Sequence, residues 1–380
     1  MESCDLEVHG HKQNELHPWN FCMFQGTYDN VPGQEKPSID GRELFAFGII
    51  ADVQYADKDD GYNFLKTRKR YYRHSLRLLQ SAIKEWNDEA RVPSFVLQLG
   101  DIIDGYNANV QASNPSLQSV LNEVAKSKAP FHHVWGNHEF YNFTRDFLTS
   151  SELNTKCLED KAHLVLRKTL KGIPRDPSSE EYYAYHFRPF PSFRFIMIDC
   201  YDLSVIARQP SSKKYQDSMK TLKEKNPNVD LNDPLGLLEN QFVQYNGGFS
   251  KDQLDWMKGV LSFSDEKGEK VVVVGHLPIH PESADSVCLA WNYSEILSLL
   301  QCHKCVVAYI AGHDHDGGYC LDSCGIHHVT LQGIIETPPG SHAFGTVHVY
   351  DDRMILTGRG SVSNRVMRYR NDPVFVETTQ

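Results

Sequence analysis

Nine polar residues lie just past apolar runs of this 380-residue chain. They are Asp52 and Gln54 in A-D-V-Q-Y-A-D, Asp101 and Asp104 in L-G-D-I-I-D-G, and Asn137 and His138 in W-G-N-H-E. His276 follows in V-G-H-L-P-I-H, and His313 and His315 in A-G-H-D-H-D-G-G. Side chains of these types are ones that can hold divalent cations. Two such cations roughly 3.5–4 Å apart generate a hydroxide at neutral pH and clamp a phosphoryl group for in-line attack. Carboxylate is the natural bridge between them, having two oxygens and a charge. Asn or Gln adds an oxygen ligand without further negative charge to repel an anionic substrate. A His backed by Asp is held in one tautomer and suits the charge that develops on a leaving oxygen.

Taken singly, any of these histidines also fits an ordinary core or surface role. The weight rests on the ordered set D-x-Q, G-D-x-x-D, G-N-H-E, G-H and G-H-x-H, whose chance assembly is improbable. Four of the five segments place Gly directly before the first polar residue. Glycine there lets the chain turn sharply and lets a ligand approach the backbone.

The elements that position the set are legible. Buried strands are expected at about 45–51, in S-F-V-L-Q-L-G-D, P-F-H-H-V-W-G-N-H-E, F-R-F-I-M-I-D-C, K-V-V-V-V-G-H and C-V-V-A-Y-I-A-G-H. Tyr72, Leu76, Leu79, Ile83 and Trp86 recur at helical spacing, predicting a helix from Phe64 to about Trp86. A second helix suits 116–127, and Ser250 with Gln253 is spaced as a capping box for a third. Residues 205–240 read as a long polar insertion. Strands at about 326–334, 345–350 and 353–357 close the chain as hairpins. Strands alternating with helices, then antiparallel strands, make an α/β protein in which ligands gather outside the strands' carboxyl ends. Residues 1–42 are polar and aperiodic, an expected disordered extension ahead of a domain over 43–370.

Other features take their simpler readings. Lys66, Arg68, Lys69, Arg70, Arg73 and Arg77 read as a solvated helix face. Tyr62, Phe64, Tyr106, Trp291 and Tyr319 flank the motifs as a possible base-stacking wall, with ordinary packing favoured. Asn246–Phe249 precede a helix N-terminus and read as a turn and cap in preference to an anion site, and Asp314 and Asp316 read as exposed loop acids in preference to hydrogen-bond partners for the His pair. Cys302, Cys305, Cys320 and Cys324 resemble a structural-zinc spacing. The strand between the pairs separates its ends by roughly 23 Å, which disfavours that reading.

The formal charge of −10 argues against general binding of nucleic acid or anionic membranes. No apolar run reaches membrane-spanning length and the N-terminus has no secretory h-region. Nine cysteines without a signal segment are expected as thiols in a reducing compartment, the cytoplasm, with the nucleus also open.

The ordered motifs resemble the calcineurin-like metallophosphoesterase superfamily over residues 45 to about 350. A-D-V-Q-Y-A-D, L-Q-L-G-D-I-I-D-G-Y-N, W-G-N-H-E-F-Y-N, L-A-W-N-Y and A-G-H-D-H-D-G-G-Y are similar to the family of manganese-dependent ADP-ribose/CDP-alcohol diphosphatases. Members carry Gln where their relatives carry His, as at Gln54. The resemblance implies a four-layer α/β/β/α sandwich with two mixed sheets and two divalent metal ions, Mn²⁺ first, with Mg²⁺ or Zn²⁺ as alternatives. It implies Asp52, Gln54 and His315 on one metal, Asn137, His276 and His313 on the other, and Asp101 bridging. His138 would be a hydrogen-bond donor or general acid, oriented by Asp104. The implied activity is hydrolysis of the pyrophosphate of ADP-ribose, CDP-choline and related small nucleoside diphosphate derivatives by a monomer. The alternative is a cyclic-nucleotide phosphodiesterase or phosphomonoesterase on the same metals. Catalytically dead scaffolding is disfavoured because Asp101, Asn137 and His138 are all present.

Overall fold

The apolar run Phe45–Ile50 forms a first strand buried along its whole length. In the computed structural model, residues 41–63, 66–158, 172–177 and 182–370 are described. All but the last two residues of the expected 1–42 extension, and Phe64, lie outside them. In chain order the strands are β1 (Phe45–Ile50), β2 (Gly61–Tyr62), β3 (Lys69–Arg70), β4 (Val96–Gln98), β5 (Phe131–His133), β6 (Tyr185–Phe190) and β7 (Phe193–Met197). They continue as β8 (Lys270–Val274), β9 (Val306–Ala311), β10 (Gly318–Leu321), β11 (His327–Thr330), β12 (Ala343–Val349), β13 (Arg353–Gly360) and β14 (Arg365–Arg368).

Two six-stranded mixed sheets result, ordered β14-β13-β12-β1-β4-β5 and β10-β11-β9-β8-β7-β6. In the first, β1, β4 and β5 are parallel, and the closing strands β12–β14 are antiparallel. In the second, β7, β8, β9 and β11 are parallel between antiparallel edges β6 and β10. Aromatic rings join the sheets. Phe47 of β1 stands edge-on to Phe195 of β7 at 5.1 Å and stacks on Phe95 at 5.3 Å. Such large rings bury much apolar area and hold preferred pair geometries. The helix Tyr72–Asp88 covers the first sheet, with Trp86 fully buried and 5.3 Å from the Phe344 ring. The helix Lys251–Lys267 packs on β8 of the second, burying Met257, Val260 and Leu261. This is the expected four-layer α/β/β/α arrangement.

Several boundaries differ from the sequence reading. The first helix begins at Tyr72 rather than Phe64, because Asn63 Oδ1 accepts the backbone N–H groups of Thr67 and Arg68. A side chain that bonds its own backbone this way competes with helix formation. The freed segment makes the β2–β3 ribbon, so Lys69 and Arg70 are not on a helix face. The helix expected at 116–127 runs Ser113–Val124. The 205–240 insertion contains a helix, Lys213–Lys225, whose Ser212 hydroxyl accepts the Tyr215 N–H. The strand expected at 326–334 ends at Thr330. Its continuation instead donates Ile334 and Ile335 N–H groups to Ala51 and Asp52 carbonyls at the end of β1.

Just past β7, the buried Arg145 guanidinium donates to Asp199 Oδ2 at 2.7 Å and to the Tyr201 carbonyl at 2.5 Å. Removing one partner of a buried ion pair strands the other charge. Arg145→Ala is expected to destabilise the protein by about 3–5 kcal/mol, read from the midpoint shift in urea unfolding. A change below about 1 kcal/mol would refute that account.

Candidate metal centre

The segments following β1, β4, β5, β8 and β9 converge beyond the strands' carboxyl ends, and all nine residues singled out above lie in them. Backbone bonds tie the loops together. Asp52 N donates to the Gly100 carbonyl, Gln54 N to the Asp101 carbonyl and Gly312 N to the His276 carbonyl.

Asp101 is central. Its Oδ1 accepts the His138 backbone N–H at 2.8 Å. Its Oδ2 accepts from Gln54 Nε2 at 3.2 Å and lies 3.5 Å from His276 Nε2. His276 Nε2 is 3.2 Å from His313 Nδ1, and Asp101, His276 and His313 bring donor atoms within 4.8 Å of one another. On the other side, His315 Nε2 lies 2.9 Å from Gln54 Nε2 and 3.5 Å from Asp52 Oδ1. Asn137 Oδ1 accepts the Tyr201 hydroxyl at 3.2 Å. Asp52, Gln54 and His315 therefore form one group and His276 and His313 another, meeting at Asp101, with Asn137 next in chain to His138, whose N–H Asp101 accepts.

The ring orientations have identifiable causes. His276 Nδ1 lies 2.7 Å from the Leu99 carbonyl, which leaves Nε2 as the free donor atom. His313 Nε2 faces Asn246 Oδ1 at 2.9 Å, leaving Nδ1. His315 Nδ1 faces Glu336 Oε1 at 3.0 Å, leaving Nε2. Each is the arrangement in which an outer partner sets a ligating imidazole. His138 differs: its Nδ1 accepts the Gly105 N–H at 2.7 Å, so the neutral ring carries its proton on Nε2. Asp104 Oδ2 is 3.5 Å from that same Nδ1, while Asp104 Oδ1 accepts the Tyr106 N–H. The turn at Gly105 thus makes the direct hydrogen bond to His138.

Electrostatics follow from burial. Burial pushes the Asp101 carboxyl up, but the adjoining His276 and His138 rings outweigh it and hold it well below the carboxylate range. Burial pulls His276 down, and Asp101 reverses this, lifting it to about 9. Burial likewise opposes His315, which Asp52 and Glu336 raise to about 10. For His313 burial wins, reinforced by His276, and the ring is driven well below its ordinary value. Three carboxylates, Asp101, Asp52 and Glu336, thus favour positive charge on His276 and His315.

The backbone is strained at the same place. Seven non-glycine residues among those described have positive φ, and four are Asp52 (51°), Gln54 (42°), Asp101 (56°) and His313 (68°). Such conformers cost roughly 1–3 kcal/mol each and cluster where geometry serves function. Gly136 is needed for close approach: a Cβ there would lie 2.2 Å from Asp101 Oδ1. Gly100 adopts φ +99°, and its Cβ would meet His276 Nδ1 at 2.3 Å.

The donor set fits divalent cations. Asp52 Oδ1 and Gln54 Oε1 are buried without hydrogen-bond partners, a costly arrangement that a cation would relieve.

Several residues of the site escaped the sequence reading. Glu139 accepts the N–H groups of Asp101, Ile102 and Gly136, bracing two ligand loops at once. Burial and the nearby Asp101 push its carboxyl up to about 7. Its spacing three residues after Gly136 was the available signal. Asn246, read as part of a turn, is fully buried and aims at His313. Asp314, read as an exposed acid, is buried and accepts the Asp285 and Asp316 N–H groups. Asp316 is exposed and paired with Arg68. Arg70 stands 3.6 Å from Asp104 and 3.5 Å from Glu336, at the site rather than on a solvated face. Nothing in local sequence marks Glu336. Trp291 is packed in a small core with Phe242, as favoured.

A chain with this fold and these converging donors belongs to the calcineurin-like phosphoesterases, whose family model matches residues 45–317. More particularly, it is 58% identical over 336 residues to the Mus musculus protein named manganese-dependent ADP-ribose/CDP-alcohol diphosphatase, covering 88% of this chain and 96% of that one. The Homo sapiens protein of the same name is 56% identical over 91% of this chain and 99% of its own length. The crystal structure of a dimetal phosphatase from Danio rerio superposes with a TM-score of 0.78 at 48% identity, over 86% of this chain and all of that one.

Proposed function

We propose that this chain hydrolyses the pyrophosphate of small nucleoside diphosphate derivatives, ADP-ribose and CDP-choline among them, using two divalent metal ions with Mn²⁺ preferred. The convergence of two donor groups on Asp101 carries the reading. Bound in these groups, the cations would supply a nucleophilic hydroxide and neutralise the phosphates. Asp52, Gln54 and His315 would hold one, Asn137, His276 and His313 the other, with Asp101 shared. The chain's own contribution is positional. Glu139 braces the Asp101 and Asn137 loops, while Leu99, Asn246 and Glu336 fix the three ligating rings. His138 directs its Nε2–H beside the site as a hydrogen-bond donor to the departing phosphate oxygen. Asp104 and Arg70 support the Gly105 turn that holds the ring.

Location in the cytoplasm and a monomeric state belong to the same proposal. The six described free cysteines support the first, with Cys200, Cys305 and Cys320 buried. Among the described residues no helix is long and apolar enough to cross a membrane.

The test is metal-free protein given ADP-ribose, CDP-choline and an aryl phosphomonoester, each with Mn²⁺, Mg²⁺ or Zn²⁺. AMP and CMP formed chiefly with Mn²⁺ support the proposal. Turnover of the monoester alone would replace the substrate and keep the metal site. Gln54 is expected to set the metal preference, because an amide oxygen is a harder donor than imidazole. Gln54→His should shift the activity ratio from Mn²⁺ toward Zn²⁺, and an unchanged ratio would refute that role.

A further inference from the structure

His280, Glu282 and Cys320 form a second group whose donor atoms lie within 4.8 Å of one another, and none belongs to the set above. His280 and Glu282 sit on the loop after His276, and Cys320 on the edge strand β10. Loop and strand are in contact: a Cβ on Gly318 would lie 2.2 Å from the Ser283 carbonyl oxygen. Cys320 Sγ is 3.1 Å from His280 Nδ1, which also receives the Glu282 backbone N–H at 3.2 Å.

A second, buried imidazole stands beside the group. In the β10–β11 register Cys320 faces His328, which places the two side chains on the same side of the sheet edge. The His328 ring centroid is 4.7 Å from that of His280. His328 is 1% exposed and its Nε2 faces Asp322 Oδ2 at 3.3 Å, yet its Nδ1 is buried without a hydrogen-bond partner. A buried imidazole nitrogen without a partner, fixed by a carboxylate on the other nitrogen, is how a ligating histidine is prepared. Sulfur with two imidazoles and a carboxylate is a zinc donor set. It is unlike the sulfur-free set around Asp101, whose hard donors suit Mn²⁺.

We propose that His280, Glu282 and Cys320, with His328 beside them, bind one Zn²⁺ that pins the loop after His276 to the edge of the second sheet. Ideal Zn–S and Zn–N bonds put sulfur and nitrogen ~3.5 Å apart, a few tenths of an ångström wider than observed. Binding replaces the Cys320 thiol proton, which is released to solvent, and the two weak bonds at His280 Nδ1. The cation acts on the loop, and the hydrolytic site turns over without it.

Cobalt(II) is the probe, added to the full chain with Mn²⁺ already present. Thiolate bound to Co²⁺ gives a near-ultraviolet charge-transfer band, and the ligands proposed at Asp101 contain no sulfur. The band should saturate at one equivalent, disappear in Cys320→Ser, persist in Cys302→Ser and be abolished by Zn²⁺. Cys320→Ser should retain Mn²⁺-dependent turnover, which also reports that it folds. Glu282→Ala changes an exposed side chain and should weaken Zn²⁺ binding about tenfold or more while leaving the fold intact. A wild-type protein without the band, a band surviving Cys320→Ser, or Zn²⁺ binding unaffected by Glu282→Ala would overturn the site.

Discussion

Asp101→Asn is expected to lower kcat for ADP-ribose by about 10³–10⁴-fold, because metal-based charge stabilisation contributes several kcal/mol and each decade of rate is about 1.4 kcal/mol. Asp101 Oδ2 meets Gln54 on one side and lies 3.5 Å from His276 on the other, whereas Asp52 meets the His315 ring but touches His313 at its backbone N–H. Asparagine keeps the size of the side chain and one oxygen. It loses the charge, and one of its two positions becomes a donor. The Oδ1 bond to the His138 N–H survives in one amide orientation only while nitrogen faces His276. The backbone is held independently by Glu139, so the strained φ of 56° should persist and the fold with it. Two readouts separate loss of chemistry from loss of structure: bound Mn²⁺ should fall below two per chain, while the near-ultraviolet dichroism of the aromatic core is retained. An Asp101→Asn protein that holds two Mn²⁺ and turns over within tenfold of wild type would refute the bridging role.

His138→Ala should cost about 10²–10³ in kcat, the usual contribution of one donor aimed at developing charge, with little change in bound metal. The Gly105 N–H bond to Nδ1 puts the neutral ring's proton on Nε2. Nε2 stands 3.9 Å from Asp101 Oδ2, beside the site, without occupying it. A hydrogen bond donated to the leaving oxygen matters most when that oxygen is basic. With a series of aryl esters of CMP, the penalty of His138→Ala should therefore grow as the leaving phenol becomes less acidic. A uniform penalty across the series would refute contact between His138 and the leaving oxygen. His138→Gln, which also presents an N–H donor there, should recover part of the loss.

The hydrolytic site was legible because its residues are local to strand ends. Asp52 and His313 follow β1 and β9 within two residues, and strand and motif are read in one window of sequence. The same locality hid the supports. Glu336 reaches His315 from a 3₁₀ turn whose Ile334 and Ile335 N–H groups bond to the end of β1. Asn246 reaches His313 across 67 positions, and N-G-G-F reads as a turn wherever it occurs. Arg70 was assigned to a helix by extending the Tyr72–Trp86 period backward. A single Asn63 side chain stops that helix, and periodicity does not register it.

Local order in the chain thus determined which donors this protein carries, which strands deliver them and that the amide Gln54 stands among them. Apolar runs and the residues ending them are short-range properties. Only the tertiary structure decided which nitrogen each histidine presents, because that choice lies with a carbonyl, amide or carboxylate on another segment. It also decided that Asp314 is buried and that Cys320 lies against His280 rather than in a four-cysteine cluster. Those outcomes depend on register and loop packing between distant segments, where the energy of a contact leaves no periodic trace in sequence.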